Sequence, residues 1–313
     1  MPIAGSIHMR IATFNINGIN GRLSHLIDWL AETTPDIVCL QELKARQDKF
    51  PRSALERAGY GAAWVGQARW NGVAILARGV EPLETRRALP GDEADTQGRY
   101  LEAAVRGVLI GCVYLPNGNP QPGPKFDYKL AWAERLRAHA ASLLAERHPV
   151  ILMGDFNVIP TDLDVYNPAS WKDDALMHPD ARKAFADLLS DGWTDAVRHL
   201  HPRERIYTFW KYWRNAWARD AGLRIDHALL SPDLAGRLAA CGVDRDARGR
   251  DGASDHAPMW IELAPSPPGK GASPKSAGAR KKPVATPRVA APPKAAARRS
   301  TPAATSRRRT RPS

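Results

Sequence analysis

Asp155 and Asn157 stand two residues apart behind an unbroken apolar run, Val150-Ile-Leu-Met153, with Gly154 as the hinge between them. The run reads as a buried strand, and the glycine permits a sharp exit. In extended backbone a spacing of two turns both polar side chains to one side and Phe156 to the other. A carboxylate beside a carboxamide at a strand tip suits a hard cation or a phosphoryl oxygen. The layout recurs along the chain. Asp36-Ile-Val-Cys-Leu40 delivers Gln41 and Glu42, and Val108–Tyr114 runs out into Leu-Pro-Asn117. Gly222-Leu-Arg-Ile-Asp226 presents Asp226, and Ser254-Asp-His256 precedes the apolar Met259–Leu263. Arg10–Ile16 leads into Asn15, Asn17 and Gly18. Each is by itself an ordinary strand end followed by turn-forming residues. Their repetition points to one shared site.

The elements that must position these residues follow from periodicity. Leu23, Leu26, Ile27 and Leu30 repeat at three and four, predicting an amphipathic helix that closes near Thr34-Pro35. Lys125 to Arg147 reads as a long helix with Leu130, Leu136, Leu143 and Leu144 inward, and Ala181–Ser190 as a short one. Further strands are expected at 62–65, 72–76 and 100–105, and 222–230 reads as a single alternating strand. Several strands are joined by short links without regular β-α alternation, so mixed or antiparallel sheets covered by helices are expected. Tyr207-Thr-Phe-Trp-Lys-Tyr-Trp213 and the residues to Trp217 interleave aromatics with Lys211 and Arg214, a composition suited to bases and phosphates and equally to a core strand.

Composition narrows the class. Of a net charge of +12, thirteen Lys or Arg fall within 265–313, where there is no Asp or Glu, so residues 1–264 carry a formal −1. That segment is Pro-, Ala- and Ser-rich; it cannot bury enough apolar surface to offset its ordering entropy and is expected to be disordered, a tether for DNA. Three scattered cysteines, Cys39, Cys112 and Cys241, fit buried free thiols rather than a disulfide framework or a zinc site. No apolar run is long enough to span a bilayer, and Met1–His8 lacks a basic start followed by an apolar core, so a cytoplasmic protein without membrane contact is expected. Met9 directly precedes the first strand, which makes residues 1–8 an upstream extension.

Together, Phe14-Asn-Ile-Asn-Gly18, Gln41-Glu42, Tyr114-Leu-Pro-Asn117, Gly154-Asp-Phe-Asn157, Gly222-Leu-Arg-Ile-Asp226 and Ser254-Asp-His256 occur in the order seen in exonuclease III and its relatives, the abasic-site endonucleases of base excision repair. The chain resembles that family over residues 9–264. The resemblance implies an α/β (α+β type) four-layer sandwich of the DNase I kind, with two mixed, mostly antiparallel sheets face to face and helices outside. It implies a DNA repair nuclease cutting 5′ to abasic sites and trimming 3′ ends, using Mg2+, with Mn2+ able to substitute. The expected partner is double-stranded DNA with abasic sites or 3′ ends, bound by a monomer that reaches the nucleoid through DNA. A phosphatase or phosphodiesterase of the same superfamily acting on a non-DNA phosphoester is the alternative.

Residue by residue, Glu42 resembles the principal metal ligand and Asp255 a second acid facing the metal. Asn15 and Asn17 sit where the family places site residues, Asn17 where some relatives carry Asp. Asp155 resembles the residue that orients or deprotonates the attacking water. Asn157 resembles a phosphate contact, and the acid–carboxamide pair is also counted among the metal-facing groups. Tyr114 and Asn117 resemble phosphate or leaving-group contacts. Asp226 pairs with His256, which contacts the phosphate. Phe209, Trp210, Leu223 and Ile225 resemble the walls of a pocket for a sugar lacking its base, with Trp213 among the DNA contacts. Asp155 and His256 both stand as candidate bases.

Overall fold

The computed structural model describes residues 8–265. The expected N-terminal extension, apart from His8, and the expected disordered tail lie outside the described residues. The chain runs through β1 (Met9–Asn15), α1 (Leu23–Thr33), β2 (Ile37–Gln41), α2 (Arg52–Arg57), β3 (Tyr60–Val65), β4 (Val73–Arg78), β5 (Leu83–Arg86), β6 (Tyr100–Val105), β7 (Val108–Tyr114) and α3 (Pro124–Ala145). It continues through β8 (Val150–Asp155), α4 (Pro179–Ser190), β9 (Thr194–Asp195), α5 (Ala196–Leu200), β10 (Asp226–Leu230), α6 (Pro232–Ala235), β11 (Leu238–Val243), α7 (Arg245–Gly249) and β12 (Met259–Leu263).

Two six-stranded sheets result, in the orders β11-β12-β1-β2-β4-β3 and β5-β6-β7-β8-β10-β9. Among the described strands β1–β2 and β7–β8 pair in parallel and the rest antiparallel. The central strands are apolar throughout because both faces are covered. Alternation decides which face each residue meets. Ile11, Ile37, Cys39, Ile75 and Ile261 of the first sheet pack against Ile110, Cys112, Ile151, Met153 and Ala228 of the second. The intervening Ala12, Phe14, Val38, Leu40, Ala74 and Leu76 face outward onto Leu26, Trp29 and Leu30 of α1 and Leu55 of α2. Val150, Leu152 and Leu229 likewise meet Trp132, Leu136 and Leu143 of α3 and Phe185 and Leu188 of α4. Four layers are thereby closed, helix, sheet, sheet, helix.

Two expectations need correction. The segment 222–230 is not one strand: β10 begins at Asp226, while Leu223 bridges Phe209 and Val165 instead. Arg224, wholly buried, forms ion pairs with Asp164 at 2.6 Å and Asp195 at 2.9 Å, and this anchors the segment away from the sheet register. The long helix ends at Ala145, before Arg147 at φ +56°. All three cysteines are buried and free.

Candidate active site

Inner-face parity carried to one end of the sandwich produces the site. Asn15 continues the inner positions Ile11 and Thr13, Tyr114 continues Ile110 and Cys112, and Asp155 continues Ile151 and Met153. The register pairs Tyr114 with Asp155 and Asp155 with Asp226 on one rung across β7, β8 and β10. Where the apolar core runs out, four polar side chains stand in its mouth. Glu42 has the wrong parity for this, but its left-handed backbone (φ +52°) sets it among them. Asn17 (φ +49°), Lys44 (φ +50°) and Asn157 (φ +47°) share that conformation, which turns the loops sharply as they leave the strand ends.

The Asn15 amide donates to Glu42 Oε1 and Asp155 Oδ2, both at 3.0 Å, and joins the two sheets. Tyr114 donates its hydroxyl to Glu42 Oε1 at 2.9 Å. Asp226 Oδ2 accepts from His256 Nδ1 at 2.8 Å, and His256 Nε2 lies 3.9 Å from Asp155 Oδ2. Ser254 supports this loop, donating to the Asn15 carbonyl at 2.6 Å. The Asn17 amide donates to Asp255 Oδ1 at 2.9 Å.

Burial by itself would push the His256 imidazole down, but the charge of Asp226 and its hydrogen bond, with Asp155 and Asp255 behind them, raise it to about 10. Burial, together with the Asp226 charge, raises Asp155 to about 7 against the opposing pull of His256. Burial and the neighbouring Glu42 hold the Tyr114 phenol well above its ordinary range, so it remains a proton donor. Burial would also raise Glu42, but Lys44 outweighs it and leaves the carboxylate lowered.

Not every expected residue stands as expected. The backbone turns after Asp155, whose Oδ1 accepts the Asn157 N–H at 2.9 Å, so the two side chains do not project in parallel from extended backbone. Asn157 donates Nδ2–H to the Leu115 carbonyl at 2.9 Å, and its Oδ1 accepts from Asn117 Nδ2 at 3.1 Å. It props the Leu115–Asn117 loop rather than offering a metal ligand. Asn15 likewise turns N–H groups, not oxygen, toward the carboxylates, its oxygen accepting from Asn17 N. Trp210 is wholly buried, its indole N–H on Asp220 at 3.0 Å and its ring against Trp217, so it cannot wall an open pocket. Phe209 is half-buried with its ring centroid 4.9 Å from that of His256, backed by the buried Leu223 and Ile225. Trp213 is 60% exposed on the surface.

Two lysines escaped sequence reading. Lys44 Nζ bridges Glu42 Oε2 at 2.8 Å and Asn17 Oδ1 at 2.6 Å. Lys129, 1% exposed, donates to the carbonyls of Pro116, Asn117 and Asn157 at 3.2, 3.0 and 2.6 Å. Burial pushes Lys129 down to about 7. Its signal was a lysine at helical spacing among the apolar Phe126, Ala133 and Leu136.

The arrangement can bind an anionic phosphoester beside a hard-oxygen cluster and move one proton. Comparison with known proteins agrees. A sequence model described as the Endonuclease/Exonuclease/phosphatase family matches residues 12–256. The chain is similar to a DNA repair nuclease, APEX1, of Danio rerio, 32% identical over 263 residues, covering 82% of this chain and 83% of that protein. A Neisseria 3′ phosphatase bound to product DNA hairpin superposes with a TM-score of 0.79 at 40% identity, covering 82% of this chain and 99% of that one. An AP endonuclease from Archaeoglobus fulgidus superposes at 0.78 with 37% identity, covering 82% and 99%. A buried polar mouth at the end of two facing sheets and a family match across nearly the whole described fold lead to one conclusion: the chain belongs to the endonuclease/exonuclease/phosphatase family.

Proposed function

We propose that the chain is a DNA repair nuclease that hydrolyses the phosphodiester 5′ to abasic sites and trims 3′ ends, supported by Mg2+ or Mn2+. The observation that carries the reading is the line Asp226–His256–Asp155 at the core's mouth beside Phe209. It joins a cationic donor to a carboxylate titrating near neutrality. The nuclease names among the relatives support a DNA substrate.

The residues fit a hard cation. Oxygens of Glu42 and Asn17 already converge on a cationic group, the Lys44 ammonium, and Asp255 is tied to Asn17. An all-oxygen set of this kind suits magnesium, whereas Asp155, Asp226 and His256, though clustered, are committed to one another. Glu42 and Asp255 would hold the ion. When bound it would supply charge neutralisation at the phosphoryl oxygens.

His256, protonated at neutral pH, presents Nε2–H to an anionic phosphate oxygen while Asp226 holds the other ring nitrogen. Asp155 in its ionised form takes the proton of a water as that water's oxygen bonds to phosphorus and the bond from phosphorus to the 3′ oxygen breaks. Asn15 holds Asp155 Oδ2, and the Asn157 N–H holds Oδ1, so the carboxylate cannot swing away from the water. The apolar edge of Phe209, backed by Leu223 and Ile225, accepts a bare sugar more readily than a full nucleotide. The protein is expected to act on duplex DNA as a cytoplasmic monomer, and among the described residues no helix is long and apolar enough to cross a membrane.

The test is purified protein on abasic duplex, recessed 3′ ends and 3′-phosphate ends, with magnesium and with chelator. Nicking directly 5′ to the abasic site, lost with chelator, is expected. Efficient hydrolysis of a small phosphoester without cutting of the abasic duplex would overturn it. A second reading, preference for 3′-phosphate ends, is favoured by the 40% identical Neisseria structure. It predicts faster release of inorganic phosphate than nicking in the same assay.

A further inference from the structure

The apolar wall behind Phe209 and the loop that offers Asn117 come from different parts of the chain, and one pair of side chains fastens them together. The loop after β7 carries Asn117 and Asn119, and the segment before α4 carries Trp171, Asp174 and Leu176. Trp171 and Leu176 are buried in the same apolar cluster as Leu223 and Ile225, on which Phe209 packs. Asn119 uses both hydrogens of its amide, donating Nδ2–H to Asn117 Oδ1 and to Asp174 Oδ1, each at 2.9 Å. Its Oδ1 accepts the Ala175 N–H at 3.0 Å, which sets the orientation of the amide. Asp174 Oδ1 also accepts the Leu176 N–H at 2.9 Å. Beneath this latch the two segments already touch. A Cβ on Gly118 (φ +90°) would stand 2.5 Å from Lys129 Cδ and 3.2 Å from Ala175 Cβ, so neither segment can move toward the other.

Asn117 is itself exposed, but its Oδ1 is held twice by Asn119, through Nδ2 and through the backbone N–H at 3.2 Å. Its own amide donates to Asn157 Oδ1 at 3.1 Å. The contacts Asn157–Asn117–Asn119–Asp174–Leu176 therefore run unbroken from the active-site loop to the pocket wall. We propose that Asn119 and Asp174 are positioning residues that set the choice between an abasic site and a 3′-phosphate end. The inference rests on the reading of the chain as a DNA repair nuclease. Incision 5′ to an abasic site engages a phosphate and the bare sugar that follows it at once, so phosphate contact and wall must keep a fixed separation. A 3′-phosphate end has no sugar beyond the phosphate, and its hydrolysis needs the phosphate contact without the wall. Asp174 secures the wall alone. Asn119 secures both.

The experiment compares initial rates on abasic duplex and on 3′-phosphate duplex, with magnesium, for the full chain and for Asp174→Ala, Asp174→Asn and Asn119→Ala. The ratio of nicking to phosphate release does not depend on how much of a variant is folded. Ile159 N–H donates to the Leu176 carbonyl at 2.8 Å, so the wall segment keeps a backbone anchor in every variant. Asp174→Ala should lower the ratio about tenfold. Asp174→Asn keeps Oδ1 as the acceptor and should restore the wild-type ratio. Asn119→Ala should lower the ratio as far and also slow phosphate release, because Asn117 is freed as well. An unchanged ratio in Asp174→Ala, or one as low in Asp174→Asn as in Asp174→Ala, overturns the inference. Should wild type release no 3′ phosphate, anisotropy in chelator takes the place of the ratio. A preference for abasic over intact duplex that Asp174→Ala loses and Asp174→Asn regains then supports the latch, and a retained preference overturns it. Failure of wild type itself to nick abasic duplex brings down the nuclease reading and this inference with it, whereas failure in the variants alone brings down only the latch.

Discussion

Asp155 and His256 share their surroundings but are driven to different states. Both are buried, yet the imidazole has Asp226 on Nδ1 and two further acids nearby, whereas the carboxylate faces Asp226 and Glu42 as like charges. The proton therefore rests on His256 at neutral pH and Asp155 is the group able to receive another. Asp155→Asn should lower the rate of abasic-site nicking by ~10²–10⁴-fold with the melting temperature retained; near-normal nicking would remove Asp155 from the chemistry. The pH profile of kcat/KM should be bell-shaped, rising as Asp155 ionises and falling as His256 loses its proton. Asp226→Asn removes the charge that raises both groups, so both limbs should move to lower pH. Fixed limbs would show that Asp226 does not govern them.

At the scale of elements, the site depends on how closely β7 and β8 approach. A Cβ on Gly154 (φ +157°) would lie 1.9 Å from the Val113 carbonyl oxygen. Gly154→Ala must push the parallel pair apart and misalign Tyr114 with Asp155. It should cost at least ~2 kcal/mol in denaturant unfolding, with a larger loss in kcat than a merely destabilised fold would show. Lys129 plays a comparable part from α3, where one ammonium collects three carbonyls from the two loops that carry Asn117 and Asn157. Lys129→Met orphans those carbonyls and should cost ~1–3 kcal/mol, read by chemical denaturation, and raise KM more than it lowers kcat. Unchanged stability would mean that water replaces the ammonium without loss.

For the molecule as a whole, acid sensitivity should arise on the helix-covered face of the second sheet, at the residue next to Asp226. His227 accepts from Arg224 on Nδ1 at 3.0 Å, and its Nε2 lies 3.0 Å from the Val158 carbonyl, which sets the neutral tautomer. Burial, then the Arg224 charge, pushes it from 6.5 down to about 4. The unfolded chain gains a proton near 6.5 that the folded chain refuses until about 4, so stability present above 6.5 is lost as pH falls through that window. The loss should reach about 3 kcal/mol and be flattened in His227→Gln; equal slopes in unfolding against pH would refute it. The thirteen cations of 265–313 belong to this scale too. Truncation after Ala264 should weaken duplex binding and flatten its dependence on salt, leaving turnover at saturation intact. Equal salt slopes would end the tether proposal.

Strand identities and the chemical types at their ends were legible because a strand buried on both faces must be apolar and its exit must be polar. The order of motifs carried Glu42, Asp155, Asp226 and His256 into a single site. What local pattern could not carry is register. That Tyr114, Asp155 and Asp226 share one rung, and that Asn15 spans to them from the other sheet, depends on pairings between residues far apart in the chain. The same limit explains Trp210, whose aromatic neighbours in sequence suggested a pocket wall while tertiary packing buried it. It also explains Lys44 and Lys129, ordinary cations until the fold sets oxygens around them. By itself the sequence determined which polar groups stand at the strand ends. Only the tertiary structure decided where each proton rests, because burial and neighbouring charge, not residue type, set those equilibria.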